Sequence, residues 1–513
     1  MSELSRNKTI AKNTLFLYFR MLLTMIVSLY TSRVVLQVLG VDDFGIYQTV
    51  GGVVGMLSFL NSALATGSSR FLTFELGTGN GQKLKRTFST VLSAHILLAI
   101  GIALVAETAG LWFVYHKLII PPERIDAAVF AYHLSIITAV IQLTQVPYNA
   151  SIISHERMHI YAYASIVEAG LKLLIVYLLT IGGFDKLMLY AVLFCAVTVG
   201  MALYYRLYCI RRFSETRYKL FFDKKIMKEI LAYSGWNLFA NMSIALNKYG
   251  MVLVLNMFFS PAVVAARAVA NQASLAAYHF ITNILTASRP QIVKRYAAKD
   301  YDGSKSLLLT STKYSYYLML LLALPIILLA HPLIQLWLGQ VPPYSVVFLQ
   351  LAVVSCLFQV FDTSFYTALY AKGQIRENAL ISPMVGFVGF PVVYVLFVCG
   401  FSPIVVGWAG VVSYLLLAIV IKPLLIIRIA NYTWDDILSV FIPCLKVTLL
   451  SVPFPIVATY CFMPEKGGMV LMIGKFATIV LVSILSVFVN CWFWGIDSGT
   501  RVKVRSYVLS KVR

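Results

Sequence analysis

Fourteen runs of mainly apolar residues, each about twenty residues long or longer, follow one another along the 513-residue chain. A helix of about twenty apolar residues crosses the hydrocarbon core of a bilayer. Only 12% of the residues are charged, against roughly 25% in soluble domains, so a soluble core does not explain these runs. The pattern predicts an all-α polytopic membrane protein of about 14 transmembrane helices. The runs lie near residues 14–39, 45–66, 88–115, 128–152, 160–181, 187–210, 231–259, 262–287, 312–336, 345–371, 377–399, 402–421, 437–462 and 468–494.

The basic residues predict how the chain is inserted. A formal net charge of +21 would suit a nucleic-acid partner, but the lysines and arginines stand in short segments between the apolar runs. With the N-terminus inside, 30 of the 42 basic residues fall in inner segments and four in outer ones. Cytoplasmic loops of membrane proteins carry such an excess. We therefore expect cytoplasmic N- and C-termini and no nucleic-acid partner.

The chain repeats itself at an offset of about 220 residues. Residues 39–47 fall on residues 259–267, and both segments form the turn into a second span of their half. Each half then has six spans, and this even number gives the two copies the same orientation. A parallel repeat of this kind is expected to place a substrate cavity between the halves. We predict an N-terminal six-helix lobe at 1–215, a C-terminal six-helix lobe at 216–436, and two extra transmembrane helices with a basic cytoplasmic tail at 437–513.

Cationic side chains lie on polar stripes inside three predicted spans. The stripes include Arg20 in the first span, Asn241 and Lys248 in the seventh, and Arg267 and Asn271 in the eighth. An ionisable residue at bilayer depth is costly and often marks function, although polar packing between helices explains the same pattern. Because the stripes recur at equivalent places of the repeat, we predict that these residues bind the substrate.

Acidic residues within the spans are fewer. Asp362 shares a helix face with polar neighbours and Glu107 stands apart from other charges, so we predict both as ion-coupling residues. A position near the outer surface also explains Glu107. Glu168 and Lys172 are four residues apart and are expected to pair on one helix. Arg33, near the outer end of the first span, either snorkels to the interface or serves the substrate.

Basic stripes with few acids indicate an anionic cargo, because arginine and lysine pair with phosphate in a desolvated cavity. A cavity for cationic drugs is expected to be lined by acids and aromatic residues. We expect no cofactor and no metal, since the seven cysteines form no CxxC pair and no glycine-rich phosphate loop is present. The outer loops carry no recognisable catalytic constellation, so we predict a carrier and not an enzyme.

Several short motifs carry a resemblance to a known family. They are Leu-Gly at 39–40 with Phe-Gly-Ile-Tyr at 44–47, Leu-Trp-Leu-Gly at 336–339 with Pro-Pro-Tyr at 342–344, and a basic turn, Ala-Lys-Gly-Gln-Ile-Arg, at 371–376. In this order, and with the six-plus-six repeat, the chain resembles the Wzx-type polysaccharide flippases, which handle O-antigen or capsule repeat units. These belong to the multidrug/oligosaccharidyl-lipid/polysaccharide (MOP) exporter superfamily. The resemblance covers the whole chain. The chain departs from the family's pattern at 259–261, where Phe-Ser-Pro replaces the usual Leu-Gly.

The resemblance implies a V-shaped, two-lobed, MATE-like carrier in a bacterial cytoplasmic (inner) membrane. Such a carrier moves a polyprenyl-diphosphate-linked oligosaccharide from the cytoplasmic to the outer leaflet by alternating access, for the synthesis of a surface polysaccharide such as the O-antigen of lipopolysaccharide. The resemblance also implies that a proton or sodium gradient drives transport, that polysaccharide polymerase machinery is a partner, and that the cavity cations hold the diphosphate. Here these cations are Arg20, Lys248 and Arg267. A cation-coupled multidrug or small-molecule antiporter of the same superfamily is the alternative.

Overall fold

The computed structural model describes residues 3–155, 157–218, 221, 223–374, 376–461, 469–497 and 501. Within helices, the side chains of residues 3–21, 63, 66, 158–159, 161–162, 230–237, 283, 286–287 and 469–473 are outside the description. The described chain is helical nearly throughout, as the apolar runs predict, and its described residues contain no β-strand.

The helices follow the predicted runs closely, and several are divided by a kink or by a π-helical turn. In chain order they are α1 (Glu3–Met56), α2 (Ser58–Gly77), α3 (Gly81–Val105), α4 (Leu111–Lys117), α5 (Ile125–Ser154), α6 (Met158–Leu179), α7 (Lys186–Arg212), α8 (Lys224–Ala245), α9 (Met251–Phe258), α10 (Pro261–Ala297), α11 (Tyr301–Leu328), α12 (Ala330–Leu338), α13 (Ser345–Lys372), α14 (Arg376–Val398), α15 (Val405–Leu416), α16 (Lys422–Ala430), α17 (Trp434–Ser451), α18 (Pro453–Cys461) and α19 (Met469–Asn490). The π-helical segments of the described chain are Ala106–Gly110, Leu246–Gly250, Leu417–Ile421 and Cys491–Gly495.

Eleven helical segments of the described chain are long and apolar enough to cross a membrane. The all-helical, multi-span fold class predicted from the sequence is therefore confirmed. The runs predicted at 45–66, 160–181 and 262–287 are helical as well, but they are not among the eleven as separate spans. The eleven are Leu22–Met56, Gly81–Lys117, Pro122–Ser154, Lys186–Arg212, Leu238–Phe258, Tyr301–Leu328, Ser345–Lys372, Arg376–Val398, Val405–Ala430, Trp434–Cys461 and Gly474–Gly495.

The helix boundaries support the internal repeat. Helix α3 begins at Gly81 and α11 at Tyr301, 220 residues later, while α5 at Ile125 and α13 at Ser345 have the same spacing. The caps recur as well, because the side chain of Asn80 accepts a hydrogen bond from Lys83 N and that of Asp300 accepts one from Gly303 N. An N-cap oxygen satisfies a backbone donor that the first helical turn leaves open.

The chain forms two compact units. The first unit comprises Met1–Ala268 with Gly386–Pro403, and the second comprises Val269–Val385 with Ile404–Arg513. Helices α10 and α14 each contribute residues to both units. The units therefore do not coincide with the division at 215 and 436, which stays a prediction about the two sequence copies.

Two glycines of the first motif have separate structural roles in the first unit. Gly40 has a φ of +82°, which L side chains rarely adopt, and it kinks α1 between two helical legs. Gly45 lies against the start of α10, where a β-carbon would sit 1.9 Å from the carbonyl oxygen of Pro261. The motif at 39–47 is thus needed for a change of helix direction and for a backbone contact.

One end of the first unit packs around aromatic residues at the ends of α3, α5 and α7. Phe88 and Tyr148 are buried edge to face, with ring centroids 5.3 Å apart. The segment after α7 is held against them, since Phe213 stacks on His155 at 4.0 Å and Glu215 accepts from His155 Nε2 at 2.6 Å. The chain leaving the sixth span is therefore attached to the first unit.

Arg124 joins three helix ends of the first unit. Its Nε and Nη2 donate to Asp43 Oδ1 and Oδ2 at 2.8 and 2.5 Å, and its Nη1 donates to Asp185 Oδ2 at 2.6 Å. Asp185 also caps α7 by accepting from Met188 N at 3.0 Å. Burial acts to raise the pKa of Asp185, but the hydrogen bonds from Arg124 and the backbone outweigh it, so this pKa is lowered. The network connects α1, α5 and α7.

We expect Arg124→Ala to lower the free energy of unfolding by about 1–2 kcal/mol, because it leaves two partly buried carboxylates without their shared partner. The melting temperature of the purified protein measures the effect. Lys172→Ala is the matched control, since the Lys172–Glu168 pair predicted from the sequence is present at 2.8 Å but half exposed, and such pairs contribute little. Equal shifts for both variants would show that the network adds nothing beyond an ordinary surface pair.

Candidate functional site

Lys248 lies on the π-helical segment Leu246–Gly250 of the first unit and is exposed. Its Nζ stands 4.8 Å from the centroid of the Tyr249 ring, a cation–π contact. π-helical turns often occur at functional sites because the extra residue re-aims side chains and disturbs the regular hydrogen bonding. Arg20, on α1, belongs to the residues whose side chains are outside the description, so its predicted role is carried only by the sequence.

Arg267 reaches this same π-helical segment from α10. Its Nη2 donates to the carbonyl oxygen of Asn247 at 3.5 Å. Its Nη1 is buried and has no hydrogen-bond partner, and among the described residues no carboxylate lies within ion-pair distance of the guanidinium. The structure therefore brings two predicted cationic residues, Lys248 and Arg267, to one segment. Arg267 has no counter-charge in the described chain.

Close packing holds the π-helical segment in place. A β-carbon on Gly55 would lie 2.6 Å from Tyr249 Cε1, and one on Gly386 would lie 2.1 Å from Asn247 Nδ2. A β-carbon on Gly250 would meet Phe390 at 2.8 Å. Backbones that approach through glycine are common between membrane helices. The Asn247 carbonyl oxygen, which accepts the hydrogen bond from Arg267, therefore lies in a segment whose neighbours leave no room for an added methyl group.

The two predicted amides are positioned differently. Asn241 lies partly exposed on α8, two turns before Lys248. Asn271 is exposed on α10 in the second unit, and its carbonyl oxygen accepts from Ser274 Oγ at 3.0 Å. Their substrate-binding role stays a prediction.

Glu107 does not stand apart from other ionisable groups, and that part of the sequence interpretation is wrong. Its Oε1 lies 3.0 Å from Nδ1 of His133 on α5, and both side chains are about two-fifths exposed. The pairing joins residues 26 positions apart on neighbouring helices, which one helix face considered alone does not show.

Asp362 has a partner, Lys422, that directly follows the predicted run at 402–421. Lys422 is only 3% exposed, and its Nζ lies 3.1 Å from Asp362 Oδ1 in the second unit. The same Nζ donates to Asn378 Oδ1 and faces the ring of Tyr366 at 5.4 Å. Lys422 therefore belongs inside a candidate span, Val405–Ala430. The available signal was the apolar sequence Leu-Leu-Ile-Ile at 424–427, which continues the run beyond the lysine.

Hydroxyl groups follow Asp362 directly along α13. Tyr278 of α10 shares a 2.6 Å hydrogen bond with Thr363 Oγ1 and donates to the carbonyl oxygen of Gln359 at 3.3 Å. At the next residue of α13, Ser364 shares a short hydrogen bond with Thr312. Polar side chains thus link α10, α11 and α13 inside the second unit. Within the described residues, no three histidine, cysteine, aspartate or glutamate side chains group as a metal site requires.

No family model matches the chain. The chain is 23% identical over 433 residues to an uncharacterised membrane protein, EpsK, of Bacillus subtilis (strain 168), covering 80% of this chain and 82% of that protein. It superposes on the lipid II flippase MurJ, in an inward closed conformation, with a TM-score of 0.69 at 12% identity, covering 93% and 97% of the two chains. An inward-facing multidrug resistance MATE family transporter of the MOP superfamily gives 0.54 at 14% identity, covering 94% and 96%.

These likenesses establish the fold. The chain has the MATE-like, all-helical fold of MOP-superfamily transporters over nearly its whole length. Two of these neighbours are named as a lipid II flippase and as a multidrug resistance transporter. A fold alone does not specify the cargo, which has to be argued from the site.

Proposed function

We propose that this protein is a flippase that moves a polyprenyl-diphosphate-linked oligosaccharide from the cytoplasmic to the outer leaflet by alternating access. The observation that carries the proposal is the guanidinium of Arg267, whose Nη1 is buried without a hydrogen-bond partner and which pairs with no acid among the described residues. A buried charge is costly unless it is paired. A transported anion supplies the missing pair during the cycle.

A phosphate-bearing headgroup suits the two cations better than a carboxylate or a cationic drug. Guanidinium binds phosphate oxygens through two parallel hydrogen bonds, and the ammonium of Lys248 adds a compact second charge. Because Lys248 is exposed whereas Nη1 of Arg267 is buried, Lys248 makes the first contact and Arg267 pairs with the anion once the helices have moved. Arg20 is the third proposed phosphate ligand.

The coupling of transport to a gradient is proposed from the acids. Glu107, beside His133 at 3.0 Å and about two-fifths exposed, is the proposed coupling acid, whereas Asp362, predicted from the sequence for the same role, already pairs with Lys422. A bacterial inner-membrane location, cytoplasmic termini and a role beside polysaccharide polymerase machinery belong to the same proposal. They follow from the charge distribution and from the family resemblance.

The test is leaflet transfer in proteoliposomes. Purified protein is reconstituted with a polyprenyl-diphosphate-linked glycan, and the glycan that becomes accessible to a membrane-impermeant lectin is followed over time. We expect transfer at least about tenfold faster than in protein-free vesicles, because favourable pairing of each phosphate contributes roughly 1.5–3 kcal/mol. An imposed proton or sodium gradient should change the rate.

The control cargo is the same glycan on an uncharged polyprenyl chain. Equal rates for the two lipids would contradict recognition of the diphosphate. Uptake of a cationic dye without transfer of either lipid would favour the multidrug antiporter instead, a function named for one structural neighbour.

A further inference from the structure

Lys422 is surrounded by groups of the kind that bind a free monovalent cation. Its ammonium faces the carboxylate of Asp362 at 3.1 Å, the amide oxygen of Asn378, and the ring of Tyr366 at 5.4 Å. Asn378 Oδ1 also accepts from Ser382 Oγ at 2.9 Å, which orients the amide oxygen. Carboxylate and amide oxygens are the donors that hard cations prefer, and an aromatic face adds electrostatic attraction.

We propose that the ammonium group of Lys422 is a tethered cation, filling a monovalent-cation site formed by Asp362, Asn378 and Tyr366. The site needs no free ion while the lysine is in place, since the negative charge of Asp362 is already balanced within the chain. The inference bears on the coupling role predicted for Asp362. It rests on the proposed function only for its meaning in transport, not for the existence of the site.

A second lysine of the same unit shows what an ordinary ion pair with similar groups looks like. Lys305 binds Asp436 Oδ2 at 2.7 Å and faces Tyr432 at 5.2 Å, but the lysine is 26% exposed. The carboxylate of Asp436 also accepts from Thr433 N at 2.8 Å and from Thr433 Oγ1 at 2.9 Å. Asp436 therefore keeps partners when its lysine is removed.

Asp362 lacks such additional partners. Its Oδ1 is buried, and apart from the ion contact with Lys422 it has no hydrogen bond among the described residues. Removal of the lysine side chain would leave a partly buried negative charge beside an amide oxygen and an aromatic face, with space where the ammonium stood. A small cation is the species that such a space attracts.

A lysine in this site also affects which acidic residue can couple transport to an ion gradient. If the cation of this site is part of the chain, a sodium or proton gradient does not act through Asp362 in the native protein. Glu107, paired with His133 in the first unit, is then the acid that remains for a gradient to act on. Wild-type protein should accordingly gain no stability from sodium at this site.

The experiment compares melting temperatures of the full-length protein in sodium chloride and in N-methylglucamine chloride at equal ionic strength. We expect Lys422→Ala to melt about 4 °C or more higher in sodium, because a cation that binds only the folded state stabilises it by mass action. Wild type should show no such difference. Equilibrium binding of labelled sodium should give roughly one ion per chain for Lys422→Ala and none for wild type.

Two control variants complete the design. Lys305→Ala loses a comparable lysine but should show no preference for sodium, and Asp362→Asn with Lys422→Ala removes both charges and should also show none. A Lys422→Ala protein that melts alike in both salts and binds no sodium would overturn the proposal. So would failure to recover this variant from sodium-containing buffers while the doubly neutral variant folds. None of these measurements involves cargo, so their failure is distinct from failure of the flippase proposal.

Discussion

Arg267→Ala is expected to slow leaflet transfer of the diphosphate-linked glycan about 10- to 100-fold without lowering the melting temperature. The loss corresponds to one or two charge-assisted hydrogen bonds to phosphate. Stability should be kept or raised, because the alanine removes a buried guanidinium whose Nη1 has no partner in the described structure. Functional groups that are strained in the resting protein commonly show this combination of lost activity and gained stability.

A second arginine of the first unit provides the matched control. Arg206 is fully engaged, since its Nη2 donates to Thr144 Oγ1 at 2.6 Å and to the Ile141 carbonyl oxygen, its Nε donates to Gln145, and it faces the ring of Tyr148. Arg206→Ala should therefore lower the melting temperature while the folded fraction still transfers lipid. Arg267→Lys should retain part of the activity, because the charge remains without the guanidinium geometry. Loss of stability in Arg267→Ala together with unchanged transfer would mean that Arg267 is structural.

Gly45→Ala should destabilise the first unit by about 3 kcal/mol or more. The added methyl group would stand 1.9 Å from the Pro261 carbonyl oxygen, and this neighbour is backbone, which cannot turn aside as a side chain can. Either α1 or the start of α10 must shift, and Arg267 lies less than two turns from that start. We therefore expect a lower melting temperature and slower lipid transfer.

Gly51→Ala controls for the chemistry of the change, since it lies six residues further along the same helix. A β-carbon at Gly51 meets nothing within 4 Å, so this variant should be neutral or more stable by up to about 1 kcal/mol from helix propensity alone. Both variants are compared by thermal melting and by the transfer assay. Similar melting of the two would show that the close approach of Gly45 to α10 is unimportant.

The two glycines of the motif at 39–47 differ in how much of their role the sequence predicts. The motif at 39–47 located the turn between the first two spans, and the structure places the kink at Gly40. A sequence pattern does not show that Gly45 touches Pro261, because that contact joins residues more than two hundred positions apart. The role of this glycine depends on the distance between two helix axes.

The pairing of charged residues also depends on contacts between helices that the sequence does not show. Arg267 was placed within a span because it lies on a polar stripe of a predicted apolar run. The sequence did not identify Lys422 as a partner of Asp362, because a lysine just after a run looks the same whether it faces a loop or a partner. Asp362 and Lys422 meet only because α13 and α16 turn these faces toward each other.

What the sequence alone determined was the all-helical membrane fold, the positions of most helices and the spacing of the repeat. Each depends on the transfer of about twenty consecutive residues from water to hydrocarbon, which is a local property of the chain. Only the tertiary structure decided which ionisable groups pair between helices. Glu107 meets His133 and Asp362 meets Lys422, whereas Nη1 of Arg267 meets no described acceptor. Pairing depends on the rotation and approach of packed helices, and a single helix carries no information about either.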